Sequence, residues 1–506
     1  MVRNLRNILR LFKIALTLAK YGCVDALEVF GFPKLPIWVL RKIEPNIANG
    51  ALGVRLAKAA VALGPSFIKL GQALSTRSDL LGAEMAGDLG QLRDRLPPFP
   101  TGTARNIVET ELSGSIPELF LEFNDEADAA ASIAQVHFAV TMDGRPVAVK
   151  VLRPHIEQAF ARDIDLLFWV ADYITRSRPS WRRLKLRDSV KAFEKMVASE
   201  MDFRLEAAAA SQLFENFQDD ETYQVPAVDW SRTSQRVLTT ARVYGTPIDQ
   251  THQLSEDGHS LDDILENASR AMFNQIFRDG FFHGDPHPGN LFVDSNGAIN
   301  AVDFGIMGRL DIQSRRYLSE LLLAILNYDF DLAAKLHFQA GYVPSEQSIG
   351  DFALALRSIA EPILNRPASD ISIGRLLGQL FHVTETFGME TQPHLLLLQK
   401  VIVVAEGVGR TLNPDANMWQ TAQPLVEKWV LTNKSSEHQL REVSKLIGDI
   451  VRRGPRLFQD AETTLDRAKK LLETTQVPEF RTRRHNAWMW SAIGFSLFIA
   501  VYALLG

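Results

Sequence analysis

Hydrophobic and polar positions follow two different periods along the 506-residue chain. Residues 34–96 and 155–217 carry apolar positions at helical spacing, and the first of these stretches is broken at Gly64-Pro65. Between them, the runs FLEFN, AQVHFAV and PVAVKVL have the length and composition of strands. From Leu261 the pattern is helical again, except at residues 281–309. This order predicts an α+β fold with two lobes, a small sheet with helices followed by a mostly helical unit.

The run PVAVKVL contains one lysine that alternates with its valines. Val147, Val149 and Val151 alternate with Lys150, so Lys150 is predicted to face the opposite side of the sheet. The Asp143-Gly144 pair before this run is typical of a hairpin turn. Further along, RVLTTARVYG at 236–245 predicts a strand that leads into a hinge between the lobes.

Two strongly apolar stretches lie in the C-terminal third. Residues 395–412 include Lys400, Glu406 and Arg410, which favours a buried core helix over a membrane span. Residues 487–506 contain no charge, and at about 1.5 Å per residue they would span about 30 Å, the thickness of the bilayer interior. Tryptophans near its start and a preceding basic flank favour a transmembrane anchor, with the rest of the chain in the cytoplasm. The alternative is a buried terminal helix.

The N-terminal segment MVRNLRNILRLFKIALTLAKYG is amphipathic. Leu5, Ile8, Phe12 and Leu16 recur at helical spacing, with basic residues between them. It lacks the uninterrupted apolar core of a secretory signal. Two interpretations stay open, a helix on an anionic membrane surface and a helix packed on the protein.

Composition narrows the function classes. The formal net charge of −5 argues against a nucleic-acid partner, which usually requires a basic surface. The single cysteine, Cys23, excludes an internal disulfide framework and a cysteine-based metal site, and it fits a reducing compartment.

The segments HGDPHPGN and VDFG carry the predicted chemistry. Asp285 and Asn290 have the spacing of the protein-kinase motif H-R-D-x-x-x-x-N, with Gly284 in place of arginine, and Asp303 corresponds to the aspartate of D-F-G. Magnesium prefers hard oxygen ligands, which Asn290 and Asp303 supply. Asp285 is predicted to accept a proton from the attacking hydroxyl or to orient it. The flanking runs LFV and AVD predict a small hairpin.

Two other interpretations of this region are possible. Each motif by itself could be a structural turn, but their order after VAVK makes that explanation weak. His283, His287 and Asp285 could instead form a metal site, although no Glu-x-x-His or cysteine pattern supports one.

Lys150 would bind the α- and β-phosphates of a nucleotide and needs a glutamate partner from a helix. The segment SEMDFRLEAAAA offers Glu200, Asp202 and Glu206. On one continuous helix, Asp202 and Glu206 would share a face because they are four residues apart. The ordinary alternative is a solvated acidic face.

An alanine-rich loop stands where kinases have their glycine-rich loop. Ala129, Ala131, Ala134 and Val136 match the glycine and valine positions of G-x-G-x-x-G-x-V. Alanine cannot adopt positive φ freely, so the sequence predicts a stiffer phosphate-facing loop. The predicted nucleotide-binding residues are Ala129, Ala131, Ser132, Ala134, Val136 and Lys150.

Together these motifs resemble the UbiB family of atypical kinases, which is associated with coenzyme Q biosynthesis. The resemblance rests on PSFIKLGQALSTRSDLL at 65–81, AAASIAQVH, VAVK, the E-x-D of Glu200 and Asp202, HGDPHPGN and VDFG. It covers about residues 50–310 in detail. The sequence departs near Ala241, where the family usually has an acidic residue, and it shows one C-terminal span where bacterial members often have two.

The resemblance implies a protein kinase-like two-lobe fold with an N-terminal helical extension over the active site. It implies that Lys69 of the K-x-G-Q motif meets Glu200 and Asp202, that Glu206 pairs with Lys150, and that Gln72 belongs to the same regulatory helix. The corresponding segments are an amphipathic region at 1–50, the K-x-G-Q extension at 51–118, the N-lobe at 119–243, the C-lobe at 244–412, C-terminal helices at 413–480 and the anchor at 487–506.

The expected function is a membrane-anchored atypical kinase or ATPase of ubiquinone biosynthesis that uses ATP (or ADP) and Mg²⁺. The expected catalytic residues are Asp285, Lys150 and Glu206. The expected partners are membrane lipids, quinone-pathway intermediates and other enzymes of that pathway, with no nucleic acid, at the inner membrane of a bacterium. The alternatives are a pseudokinase scaffold that organises the biosynthetic complex and an oxygenase, for which no flavin or nicotinamide motif is present.

Overall fold

The computed structural model describes most of the first 430 residues. The described residues are 2–25, 40–42, 50–75, 83–90, 92, 96–177, 186–364, 379, 383, 386–389, 393–415 and 424–430. They belong to one structural unit, residues 1–431, while a second unit covers residues 432–506. The predicted anchor at 487–506 and most of the predicted helices at 413–480 lie outside the described residues. No helix of the described part is long and apolar enough to cross a membrane.

Helices dominate the described residues. Their bounds are α1 Val2–Lys20, α2 Leu52–Leu63, α3 Pro65–Ser75, α4 Ala83–Gly90, α5 Thr101–Leu112, α6 Ile116–Leu119, α7 Ile156–Ser177, α8 Leu186–Glu200, α9 Phe203–Asn216, α10 Thr251–Glu256, α11 Leu261–Phe273, α12 Ile312–Leu326, α13 Phe330–Gln339, α14 Ile349–Leu364 and α15 Pro393–Leu412. A π-helical turn, Asn274–Asp279, continues α11.

The strands form a larger sheet in the first lobe and two small sheets in the second. Their bounds are β1 Phe120–Phe123, β2 Ala129–Ala130, β3 Ala134–Thr141, β4 Pro146–Leu152, β5 Tyr223–Gln224, β6 Val237–Ala241, β7 Thr246–Pro247, β8 Phe281–His283, β9 Leu291–Val293, β10 Ile299–Ala301 and β11 Met307–Arg309. The first-lobe sheet has the order β1-β3-β4-β6 with β2 paired to β3, and the others are β5-β10-β9-β7 and β11-β8. The predicted α+β order is therefore present.

The first-lobe sheet confirms the predicted orientation of Lys150. Val147, Val149 and Val151 are buried in one cluster, which also contains Val108 from α5. Strands β3 and β4 pair in antiparallel fashion across the predicted hairpin, where Gly144 has φ 83°. Because strand side chains alternate, Lys150 emerges on the other face of the sheet, toward α9.

Helices α2 and α3 meet at the break that the sequence predicts. Gly64 has φ 106°, a left-handed conformation that glycine adopts without strain, and its N–H donates to Ala60 O. Pro65 then begins α3, where its missing N–H costs nothing. Helix α3 packs on α7 and α8, so the K-x-G-Q segment lies against the first lobe.

The described residues between 155 and 217 form three helices, and the break between the second and the third changes the predicted geometry. Helix α8 ends at Glu200, and α9 begins at Phe203 with Asp202 as its N-cap, whose side chain accepts from the N–H of Arg204. Asp202 and Glu206 therefore do not share the face of one continuous helix, and that prediction is wrong. Met201 and Asp202 form the turn that redirects the chain.

The N-terminal half of helix α1 is held by its arginines, whereas the C-terminal half packs through apolar residues such as Ile14 and Ala19. Arg10 pairs with the buried Asp163 of α7 at 2.8 Å, and Arg6 pairs with Asp165 at 2.7 Å. The large apolar side chains that α1 leaves exposed are Leu5, Ile8, Leu9 and Phe12. The helix thus rests on the protein, as one interpretation expected, but it leaves an apolar surface toward solvent.

The second lobe is built around α11 and α15. Strands β9 and β10 form the predicted hairpin, with Leu291 opposite Ala301. Helix α15 buries Leu398, Val401 and Val408, which confirms the predicted core helix. It contacts β11, and its Lys400 lies 2.9 Å from Asp285 of the HGDPHPGN segment.

The connection between the lobes requires a glycine. Gly245 has φ 157°, and an added Cβ would lie 2.5 Å from the carbonyl oxygen of Val293. In the predicted hinge, the N–H groups of Ala241 and Arg242 donate to Ala227 O and Pro146 O. These two donors are therefore already used within the protein.

Candidate active site

Lys150 and Glu206 form the centre of the site. The Nζ of Lys150 lies 2.8 Å from Oε1 and 3.0 Å from Oε2 of Glu206. Glu206 is in the first turn of α9 and only 8% of its side chain is exposed. The same ammonium group lies 5.4 Å from the ring centroid of Phe203, which favours a cation there. The predicted Lys150–Glu206 contact is present.

Asp303 joins this pair from the second lobe. Its Oδ1 lies 3.4 Å from Lys150 Nζ and accepts from the N–H of Gly305 at 3.3 Å. Its backbone has φ 64°, a left-handed conformation that aspartate and asparagine tolerate better than most residues. The Asp303 side chain is 45% exposed, so it opens into the cleft and could bind a further cation.

The K-x-G-Q helix places a second lysine at the same cleft. Lys69 in α3 lies 2.9 Å from Glu200, and both side chains are at least 90% buried. The predicted Lys69–Glu200 contact is present, and the charge of Lys69 reaches Asp303. The other predicted partner, Asp202, forms a bidentate hydrogen-bonded ion pair with Arg204 instead. Gln72, on the same helix, is half-buried.

The opposite charges of the lysines and of Asp303 stabilise one another in the site. Burial opposes the charged form of Asp303, but Lys150 and Lys69 outweigh this effect and hold its pKa far below the usual range. Burial also opposes the charge of Lys150, whereas Asp303 and Glu206 raise its pKa above the usual value. For Glu206, burial and the neighbouring Asp303 raise the pKa despite Lys150. Lys150 is thus the cation that makes a buried carboxylate tolerable here.

Asp285 follows β8, and the side chain of His283 fixes its backbone. The N–H of Asp285 donates to Nδ1 of His283 at 3.1 Å, so the ring proton is on Nε2, which faces Val302 O at 3.2 Å. The carboxylate of Asp285 is 29% exposed and lies 2.9 Å from Nζ of Lys400. Asp285 therefore has a defined orientation before any ligand binds.

Asn290 is placed to offer an oxygen to a metal ion. Its side chain is buried, and Nδ2 donates to the carbonyl oxygen of Asp285 at 3.1 Å, which leaves Oδ1 as the acceptor end. The backbone carbonyl of Asn290 accepts from Val302 N–H, which joins the loop to the strand before Asp303. An amide oxygen and an ionised carboxylate are ligands that Mg²⁺ accepts, so Asn290 and Asp303 fit the predicted metal role.

The competing metal site is not formed. Both ring nitrogens of His283 contact the backbone, and Nδ1 of His287 accepts from Gly289 N–H. Within the described ranges, no group of three or more His, Cys, Asp or Glu residues could hold a metal ion.

The alanine-rich loop is a tight turn between β2 and β3. The N–H of Ala131 donates to Ala134 O at 2.8 Å, and Ala131 O accepts from Nε and Nη2 of Arg153. Val136 is paired with Lys150 across β3 and β4, which brings the loop next to the lysine. No alanine of the loop has positive φ. These hydrogen bonds fix the path of the turn, and the stiffness expected from the absence of glycine stays a prediction.

The loop residues differ in what they can offer to a nucleotide. The side chains of Ser132 and Ala134 are buried, so any contact from them would come from the backbone. Ala129 is exposed, and Ala131 and Val136 are half-buried. Their assignment as nucleotide-binding residues stays a prediction.

Three residues of the site were not expected from the sequence. Arg153, just after β4, clamps the alanine-rich loop. Lys400, in α15, binds Asp285, and Phe203 supports Lys150. For Lys400 a signal did exist, because a lysine in the middle of a buried helix requires a carboxylate partner.

The neutral state of His283 has a testable pH signature. Burial lowers the pKa of His283, so below about pH 6.5 the unfolded chain binds a proton that the folded chain excludes. The free energy of unfolding of the wild-type chain should therefore decrease as the pH falls through this range. His283→Asn keeps an acceptor for Asp285 N–H but loses the Val302 bond, a cost of about 1 kcal/mol.

Chemical denaturation of both chains at about pH 8 and about pH 5.5 measures this effect. The difference in stability between wild type and His283→Asn should narrow at the lower pH, because only the wild type loses the histidine contribution. Other buried histidines are common to both chains and cancel in the comparison. An unchanged difference would contradict a neutral, buried His283.

The chain is similar to known kinase-like proteins. Residues 91–337 match the ABC1 atypical kinase-like domain, and residues 356–417 match the UbiB helical domain. A "Probable protein kinase UbiB" from Marinobacter nauticus is 40% identical over 432 residues, 83% of this chain and 78% of that protein. One from Pseudomonas aeruginosa is 37% identical over 509 residues, 98% of this chain and 94% of that protein.

A solved structure shows the same fold. The complex of Rv3197 with erythromycin from Mycobacterium tuberculosis aligns with a TM-score of 0.53 and 23% sequence identity. The alignment covers 74% of this chain and 97% of that chain. At this identity the likeness concerns the fold alone, which is kinase-like with mixed helices and sheets.

Proposed function

The chain belongs to the UbiB family of ABC1 atypical kinase-like proteins, and from this premise we propose that it is an ATP-dependent phosphotransferase or ATPase of ubiquinone biosynthesis. The observation that carries the proposal is the cluster of Lys150, Glu206 and Asp303 in one open cleft. Lysine and two carboxylates in this arrangement are what phosphoryl transfer with a divalent cation requires.

Each residue of the site would have a separate role in phosphoryl transfer. Lys150, held by Glu206, would bind the phosphates of ATP. Asn290 and Asp303 would hold Mg²⁺, which neutralises charge on the transferred phosphoryl group when it is bound. Asp285, fixed through His283 and open to the cleft, would orient the attacking hydroxyl or water and accept its proton.

The position of the K-x-G-Q helix favours a phosphoryl acceptor other than a folded protein. Helix α3 packs on the first lobe, its Lys69 is buried against Glu200, and the charge of Lys69 acts on Asp303, so the helix lies beside the cleft. A large folded protein would have poor access to Asp285. Water, or a small quinone-pathway intermediate delivered from a membrane, is a better acceptor, and other enzymes of the pathway are its proposed partners.

Metal removal tests the proposed activity directly. The full chain, in detergent or reconstituted in vesicles, should hydrolyse ATP or transfer its phosphate with Mg²⁺ and should stop when EDTA is added. ATP binding, measured in the same samples, separates the outcomes. Nucleotide binding with no Mg²⁺-dependent turnover would contradict the enzyme and favour the scaffold alternative.

The exposed side of α1 supports a membrane location for this chemistry. Leu5, Ile8, Leu9 and Phe12 form an apolar surface, while Arg3 and Arg6 at its edge are more than half exposed. Apolar side chains flanked by arginine are typical of helices that lie in the headgroup region of an anionic bilayer. We therefore expect this face of α1 to contact lipid.

Site-specific labelling measures this contact independently of any other membrane segment. An environment-sensitive fluorophore on Leu9→Cys should be quenched by lipids that carry a bromine in the acyl chain, in vesicles of phosphatidylglycerol and phosphatidylethanolamine. Leu121→Cys is the matched control, because both leucines are 62% exposed, and the native Cys23 is buried. Equal quenching at positions 9 and 121 would contradict the lipid contact.

A further inference from the structure

Helix α15 contributes a charged side chain to the catalytic loop. The Nζ of Lys400 lies 2.9 Å from Oδ1 of Asp285, and the two side chains are 25% and 29% exposed. Lys400 belongs to a helix that contributes Leu398 and Val401 to the core of the second lobe, and it is far from Asp285 in sequence. A pair with this exposure lies at the border between the core and the cleft.

Gly284 explains why α15 can approach the HGDPHPGN segment closely. A Cβ at this position would lie 2.7 Å from Cγ2 of Ile306 and 3.2 Å from Cδ1 of Leu397. Leu397 and Lys400 are three residues apart on α15 and therefore share a face of the helix. The kinase motif has arginine where this chain has Gly284, and an arginine side chain would have to displace Leu397 or Ile306. The missing side chain thus makes room for the helix that carries Lys400.

We infer that Lys400 is a positioning residue for the HGDPHPGN segment, the catalytic loop of the proposed reaction. Lys400 binds the carboxylate of Asp285 and orients it toward the phosphoryl acceptor. The inference rests on the proposed function, since it gives Lys400 a part in that reaction. Contacts to the backbone and to the side chain then fix Asp285, and they include a hydrogen bond from the N–H of His287 to its carbonyl oxygen. His283 holds its N–H, Asn290 binds its carbonyl oxygen, and Lys400 binds its carboxylate.

This role differs in two ways from that of a purely structural ion pair. Lys400 acts through Asp285, so its removal should lower kcat and leave the KM for ATP within about twofold. In addition, its effect should vanish when Asp285 is already neutral. A structural pair would instead change stability and nucleotide binding along with turnover.

The experiment is a double-mutant cycle with the full chain in vesicles and Mg²⁺-ATP. Lys400→Met should lower kcat by roughly tenfold or more, because a misdirected base loses part of its contribution. Lys400→Arg should restore most of the rate. In the Asp285→Asn background, Lys400→Met should cause no further loss. Arg410→Met, which removes another side chain paired on α15, should keep the wild-type rate.

Each outcome decides the inference. A Lys400→Met chain at the wild-type rate would overturn it, and so would an equal further loss in the Asp285→Asn background. A loss of ATP binding or of thermal stability that Lys400→Arg does not restore would make the pair structural. A wild-type chain without any turnover would overturn the proposed function itself, and the role of Lys400 with it.

Discussion

Replacing Asp303 with asparagine is expected to abolish Mg²⁺-dependent ATP turnover, with a loss of about 10³-fold or more, the size of effect seen when one key electrostatic group is removed. Asp303 is an ionised carboxylate that opens into the cleft and pairs with Lys150 at 3.4 Å. Asparagine keeps the shape and tolerates the left-handed backbone at φ 64°, so the variant should fold. It removes the charge that a metal ion requires.

Two measurements test this result. The first is ATP turnover by the purified chain, with Asp143→Asn as the matched control, since Asp143 lies on an exposed hairpin turn and pairs with Arg145. The second is the ubiquinone content of cells in which Asp303→Asn replaces the wild-type gene. Normal turnover in the variant would show that Asp303 is not a metal ligand. Lost turnover with normal ubiquinone would contradict the pathway assignment.

Replacing Lys150 with methionine is expected to remove nucleotide binding and to destabilise the fold by roughly 3 kcal/mol, because it leaves a buried carboxylate without its cation. Glu206 is 8% exposed and Lys150 contacts both of its oxygens. Asp303 lies beside the same lysine, so the two carboxylates would repel each other once Lys150 is gone.

The destabilisation should depend on pH with a defined sign. Burial and Asp303 raise the pKa of Glu206 in the folded state, and removal of Lys150 removes the main cause that lowers this pKa. A carboxyl whose folded pKa is raised takes up a proton on folding, so its penalty is smallest at low pH and grows as the pH rises through the folded pKa. Lys150→Met should therefore be least destabilising in acid.

Urea unfolding of the single and double variants provides the measurement. Adding Glu206→Gln to Lys150→Met should recover most of the lost stability and none of the nucleotide binding, because the neutral amide needs no cation. Lys195→Met, on the exposed surface of α8, is the matched control and should change stability little. If the double variant is no more stable than Lys150→Met, the cost comes from packing and not from the unpaired charge.

The sheet of the first lobe could be predicted from the local periodicity of the sequence. The alternation of Val147, Val149 and Val151 with Lys150 placed the lysine on the correct face, and the structure confirms it. The hairpins at Asp143-Gly144 and between β9 and β10 were predictable for the same reason. Strand alternation and turn chemistry act over a few residues, so they can be derived without knowledge of the whole fold.

Pairing between charged residues was only partly predictable. Glu200, Asp202 and Glu206 are close in sequence, and spacing alone favours Asp202 and Glu206 as neighbours on one helix. The break before Phe203 turns the chain, so Glu206 meets Lys150, Glu200 meets Lys69, and Asp202 caps α9. The resemblance to the family indicated the first two pairs correctly, while the contact of Asp202 with Lys69 gives way to its pair with Arg204.

The sequence by itself indicated the residues of the proposed chemistry, because the spacing of Asp285, Asn290 and Asp303 and the strand that ends in VAVK are local patterns. Only the tertiary structure decided that Leu5, Ile8 and Phe12 of α1 are exposed, because the acidic residues that bind its arginines belong to the distant α7. It also decided that Lys400 meets Asp285. Such contacts depend on how whole helices pack and on whether a position such as Gly284 leaves room for them, and no short stretch of sequence contains that information.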